Sequence, residues 1–209
     1  MTLIEKVLHL APVIPVVVIE DASHAVPMAR ALVAGGLPVI EVTLRSDAAL
    51  AAVRAIADEV PDAIVGTGTV RRPADLDASA KAGARFAVSP GSTPDLLAAA
   101  RGHDVAWLPA SASASEAMTL AEAGFTFQKF FPAQAAGGTA LLRSLHGPLP
   151  EIRFCATGGI SLANAAEYLA TPNVACVGGS WITPAGLMRA GDWAAIEQLA
   201  REAAALRAG

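Results

Sequence analysis

Eight short apolar runs rich in β-branched residues recur along this chain, each followed by a longer Ala-rich amphipathic stretch, from residue 13 to the end. The runs fall at 13–19, 39–45, 63–70, 86–90, 105–110, 125–131, 154–159 and 174–180, so successive strand starts lie about 19 to 29 residues apart. Strands alternating with helices must connect by right-handed crossovers into a parallel sheet. Eight units favour a closed (β/α)8 TIM barrel over an open doubly wound sheet of five or six strands. Helices are expected at 24–35, 47–59, 73–82, 93–101, 113–122, 137–146, 161–170 and 192–207. Asp21, Asp47, Ser113 and Ser161 stand at N-cap positions, and Gly35, Gly83, Gly102 and Gly124 stand where helices stop. Leu3, Ile4, Val7, Leu8 and Leu10 share a helical face, which predicts an N-terminal helix capping the bottom of the barrel. No linker or low-complexity segment divides the chain, so residues 1–209 are expected to form a single domain.

Composition narrows the partners. The chain is 54% apolar and 16% charged, with a formal net charge of −4 and no basic cluster. It therefore has no electrostatic footprint for nucleic acid and no basic amphipathic helix for a membrane surface. The apolar run behind Lys6 imitates the core of a secretory signal, but it contains two prolines and ends at Glu20 and Asp21. It is read as the first barrel strand, and the chain as cytoplasmic. Cys155 and Cys176 form no CxxC, and the four histidines lie in or beside helices without an acidic cluster. No metal is expected.

In such a barrel, reactive groups stand at the C-terminal ends of the strands. Only three lysines occur, and Lys129 alone lies inside a strand, on one face with Phe125, Phe127 and Phe131. A buried ammonium without a partner is so costly that the group gives up its proton, and a neutral amine is what attacks a ketone to form an imine. The bland alternative is a structural pair with a carboxylate. In the second run, Glu41, Thr43 and Arg45 share parity opposite Ile40, Val42 and Leu44. Glu41 suits acid/base work beside Lys129, and Arg45 suits a substrate carboxylate. The third run carries Thr67 and Thr69 on one face and Gly66 and Gly68 on the other, without the spacing of a dinucleotide loop. Thr69, at its end, could hydrogen-bond a small substrate. Gly158 and Gly159 close the seventh run after Thr157, and Gly178, Gly179 and Ser180 close the eighth. In barrels these two ends often bracket a phosphate. Arg71 and Arg72, after the third run, could add positive charge at the mouth but are read first as a solvated loop.

The segments Ile40–Arg45 (IEVTLR), Gly66–Val70 (GTGTV), Val88–Gly91 (VSPG), Lys129–Ala133 (KFFPA), Thr157–Ile160 (TGGI) and Gly178–Ser180 (GGS) together resemble the class I 2-keto-3-deoxy-6-phosphogluconate (KDPG) aldolases, also called the KDPG/4-hydroxy-2-oxoglutarate (KHG) aldolase family, over nearly the whole chain. The resemblance implies a Schiff-base aldolase of the Entner–Doudoroff pathway. It would cleave KDPG to pyruvate and glyceraldehyde 3-phosphate without metal or other cofactor, and act also on 4-hydroxy-2-oxoglutarate. Lys129 would form the imine and Glu41 relay protons. Arg45, Thr69 and Pro90 would form the pyruvate site with Lys129, Thr157 would meet the substrate hydroxyls, and Gly158, Gly159, Gly179 and Ser180 the phosphate. A homotrimer is implied as well. Departures from the family pattern are Ser46 in place of Thr, Gln134 in place of Glu, and the two arginines after the third run. A phosphosugar isomerase or epimerase would use Lys129 only as a cation, and a binding protein would need neither Lys129 nor Glu41.

Overall fold

Each apolar run forms a strand in the computed structural model, which describes residues 1–207. Ala208 and Gly209, the last two residues of the expected 1–209 domain, lie outside the described residues. The strands are β1 (Val13–Val17), β2 (Val39–Thr43), β3 (Ile64–Gly68), β4 (Phe86–Val88), β5 (Ala106–Leu108), β6 (Ala110–Ser111), β7 (Phe127–Phe130), β8 (Arg153–Thr157) and β9 (Val174–Gly179). Every pairing is parallel, in the order β5-β4-β3-β2-β1-β9-β8-β7-β6.

The ninth segment arises because the fifth run is broken at Pro109, whose ring nitrogen has no hydrogen to give a ladder. Its carbonyl still accepts the Lys129 N–H at 2.7 Å. β5 pairs with β4 and β6 with β7, so the two ends of the sheet meet in this one interrupted strand. The result is a closed (β/α)8 barrel.

The outer layer comprises α2 (Ala25–Ala34), α3 (Ala49–Glu59), α4 (Pro73–Lys81), α5 (Pro94–Ala100), α6 (Ala114–Glu122), α7 (Gly138–His146), α8 (Leu162–Leu169) and α10 (Trp193–Ala204), with a short α9 (Ala185–Ala190) after β9. Caps follow the expectation in part. Ser113 accepts the Glu116 N–H at 3.3 Å and starts α6, but Asp21 caps a 3-10 turn at Ala22–His24, and α3 starts from Ala48 rather than Asp47. Period-two alternation sorts the strand side chains. Ile40 and Val42 pack outward with Met28, Leu32 and Ile56 of the helices, while Val39 packs inward with Ile14, Phe86 and Leu108.

The N-terminal helix α1 (Leu3–Leu10) closes the base as its spacing predicts. Thr2 and Glu5 form a reciprocal cap, with the Glu5 N–H on Thr2 Oγ1 at 3.2 Å and the Thr2 N–H on Glu5 Oε2 at 3.3 Å. That fixes the helix so that Ile4, Val7 and Leu8 enter the apolar interior beside Ile14, Val39 and Phe86. Burying each such side chain stabilises by about 1.5–3 kcal/mol.

Candidate active site

β2 and β7 stand on opposite sides of the barrel, and each sends one charged residue inward. Glu41 is 3% exposed and Lys129 5%, and Lys129 Nζ donates to Glu41 Oε1 at 3.3 Å across the interior. Each ion would be costly there alone, and together they balance. The ammonium also lies 5.2 Å from the centroid of the Phe131 ring, on the face that alternation assigned to both residues.

Room for the carboxylate comes from β3. A Cβ at Gly68 would collide with Oε1 and Cγ of Glu41. This accounts for a glycine-threonine run that only superficially suggests a nucleotide loop: the glycines face inward, while Thr67 faces out and shares a 2.7 Å hydrogen bond with Ser79 of α4. Cys155 lies opposite Lys129 in the β7–β8 register and opposite Cys176 in the β8–β9 register. Its thiol is held below the ordinary thiol range, chiefly by a hydrogen bond from Cys176. Burial opposes that shift, and the Thr157 hydroxyl and the Lys129 charge assist it.

Above the pair, a cavity of about 170 Å3 is lined by Thr43, Arg45, Phe131, Thr157, Gly158 and Ser180 among others. A more open one of about 540 Å3 adjoins it and is lined by Arg45, Thr69 and Arg71, with Leu44, Ser46 and Asp47. Arg45 belongs to both. It does not sit on β2 itself, which ends at Thr43; a turn closed by the Arg45 N–H on the Thr43 carbonyl at 2.8 Å carries it to the mouth. Thr69 departs from strand parity too. Its φ is +60°, a left-handed value that costs a β-branched residue of order 1–3 kcal/mol, and it turns Thr69 to the mouth while Val70 packs outward with Leu76 and Ala87.

Thr157 ends β8, buried, with Oγ1 3.7 Å from Cys155 Sγ. Gly158 and Gly159 follow at φ +102° and +76°, a backbone path that L side chains rarely take, and Gly158 O accepts the Gln134 N–H at 3.0 Å. Ser180 is exposed just beyond β9. Two predicted residues stand apart: Gly179 is buried inside β9 against the Trp181 ring, and Pro90, half-buried after β4, lines neither cavity. The two arginines after β3 separate. Arg72 pairs with Asp75 at 3.1 Å, as a solvated loop residue would, whereas Arg71 lines the cavity with Arg45. Phe131, which lines the smaller cavity, carries no role in the sequence analysis, although its parity with Lys129 was the available signal. Among the described residues no group of three or more His, Cys, Asp or Glu side chains could hold a metal ion, and no helix is long and apolar enough to cross a membrane.

A family profile described as KDPG and KHG aldolase matches residues 4–199, a span that contains every residue of this site. The chain belongs to that aldolase family. It is 51% identical over 205 residues to a 2-dehydro-3-deoxy-phosphogluconate aldolase of Pseudoalteromonas atlantica, covering 98% of this chain and 95% of that one. It is likewise 51% identical over 199 residues to the KHG/KDPG aldolase of Escherichia coli, covering 95% and 93%. Among solved structures, a KDPG aldolase from Legionella pneumophila, with pyruvate captured at low pH as a covalent carbinolamine intermediate, superposes with a TM-score of 0.95. Its identity is 44%, covering 97% of this chain and 98% of that one. In this aldolase fold, Glu41 at the middle of β2 and Lys129 near the C-terminal end of β7 pair inside the barrel, below the mouth where barrels carry their chemistry.

Proposed function

We propose that this chain is a class I aldolase that cleaves 2-keto-3-deoxy-6-phosphogluconate to pyruvate and glyceraldehyde 3-phosphate, and that it also cleaves 4-hydroxy-2-oxoglutarate. The observation that carries the reading is the buried amine of Lys129, 3.3 Å from the Glu41 carboxylate, in a chain half-identical to curated aldolases along almost its full length.

In the proposed cycle, the ammonium first passes a proton to Glu41, and the resulting amine attacks the keto carbon. The carbinolamine loses its hydroxyl as water, with the proton returned by Glu41, and leaves a protonated imine. Glu41, again a carboxylate, takes the proton of the β-hydroxyl. The bond between the α- and β-carbons then breaks, and its electron pair moves through the α-carbon into the imine nitrogen. Aldehyde departs, the enamine takes at its α-carbon the proton that Glu41 has received, and water adds to the protonated imine so formed, releasing pyruvate and restoring the Lys129 ammonium. Arg45 and Thr69 hold the carboxylate end. Thr157 meets the hydroxyls, and Gly158, Gly159 and Ser180 receive the phosphate, with Gly179 behind them inside β9. Pro90, just beyond β4, takes the pyruvate side only on the strength of the family resemblance. The proposal extends to a cytoplasmic homotrimer of single-domain chains working on small molecules, with neither nucleic acid nor membrane as partner.

Borohydride reduction in the presence of pyruvate, followed by intact mass and peptide mapping, tests the reading. One reduced pyruvyl group on Lys129 is the expected result. A folded protein that gains none in excess pyruvate would instead act as an isomerase or a binding protein.

A further inference from the structure

Four ion pairs occur among the described residues: Arg72 with Asp75, His103 with Asp77, Lys129 with Glu41, and Arg201 with Glu197. Arg45 and Arg71 enter none of them, although both residues line the same open cavity of about 540 Å3 at the barrel mouth, together with Thr69. Asp47 lines that cavity too, without coming within pairing distance of either. Two like charges facing one space repel each other unless an anion lies between them.

The loop that carries Arg71 is fixed in place. Asp75 Oδ2 accepts the backbone N–H groups of Arg71 at 2.9 Å and Arg72 at 3.1 Å, and Asp75 Oδ1 takes the Arg72 guanidinium. Arg72 is thereby turned onto the start of α4, and Arg71 is left for the mouth. Two residues earlier, Thr69 holds a left-handed φ of +60°, strain that persists only where the surroundings impose it.

We infer that Arg71 is a second carboxylate-binding residue, which grips the 2-oxo acid together with Arg45 and Thr69. The inference rests on the imine reading above. A carboxylate has about four acceptor positions, enough for two guanidinium groups and a hydroxyl at once. The ligand class is a 2-oxo acid whose carboxylate enters this side of the mouth while its keto carbon reaches Lys129.

The rate of borohydride trapping against pyruvate concentration tests the role, because pyruvate carries the carboxylate and no phosphate. Arg71→Gln is expected to raise the half-saturating pyruvate concentration about three- to tenfold and to leave the maximal trapping rate within about twofold. Arg71→Lys should recover part of the loss, and Arg72→Gln, which removes the same charge one residue away, should match the parent. Raising the ionic strength from about 0.05 to about 0.5 M should narrow the gap between parent and Arg71→Gln, since that screens an exposed charge. An unchanged half-saturation in Arg71→Gln overturns the role. If that variant loses only sensitivity to inhibition by inorganic phosphate, the anion at Arg71 is a phosphate and the carboxylate assignment is overturned. A parent protein that forms no adduct removes the imine reading and this role with it, whereas an adduct in the parent separates the two failures.

Discussion

Three strands cross from the base of the barrel to its mouth within a single pleat. On β2 the inward residue changes from Val39 to Glu41, on β7 from Phe127 to Lys129, and on β8 from Cys155 to Thr157. Below that change, Val39 and Phe127 share an apolar cluster with the buried face of α1, Cys155 joins it at the height of Lys129, and the interior is plugged. Above it lie a buried ion pair and two cavities with unpaired guanidinium groups at their rim. Alternation fixes which face a residue takes, and its height on the strand decides whether it serves stability or chemistry.

If the two levels are separate, substitutions at each should move different measurements. Lys129→Ala is expected to lower turnover by at least about a thousandfold, measured as pyruvate release by protein whose fold is checked by circular dichroism. Near-normal turnover would break the comparison at once. Leu8→Ala, at the base, should lose about 2–5 kcal/mol of stability in denaturant titration, with kcat and KM of the folded fraction within about twofold of the parent. A large change in KM would mean that the plug shapes the mouth.

The smallest effect concerns the loop under Arg71. Burial pushes the Asp75 carboxyl up, but the hydrogen bonds from the Arg71 and Arg72 backbones and the Arg72 side chain outweigh it and hold the group below its ordinary value of 3.8. A carboxyl depressed by folding stabilises above its unfolded value, and that stability is lost as the pH falls through the folded one. Asp75→Asn should therefore cost about 0.5–1 kcal/mol at neutral pH, a modest figure because its Arg72 partner is largely exposed. The difference from the parent should vanish on acidification below the ordinary carboxylate range. A penalty that persists in acid would assign the loss to shape rather than charge.

Most of this was legible in the sequence because periodicity reports on burial. The strand cores, the α1 plug and the inward parity of Glu41 and Lys129 all follow from apolar spacing. What spacing misses is where the ladder stops. Ile19, Leu44 and Val70 continue their apolar runs beyond the strand ends, so spacing alone places Arg45 and Thr69 on strands when both lie just past them. The break at Pro109 was likewise hidden in an apolar run, and a left-handed threonine leaves no compositional trace. The fates of Arg71 and Arg72 depend on Asp75, a partner that only the helix start brings within reach.

Gly68 carries a lesson for anyone redesigning this scaffold. Replacing a glycine by alanine at a position whose backbone tolerates it commonly adds about 0.4–1 kcal/mol, by restricting the unfolded chain. Gly68 has no left-handed φ to forbid the change, so a stability-minded engineer would choose it. Yet the space an alanine methyl would need is already held by the Glu41 carboxylate. The methyl would push that carboxylate off Lys129, and breaking a buried pair costs about 3–5 kcal/mol, more than the stiffer strand returns.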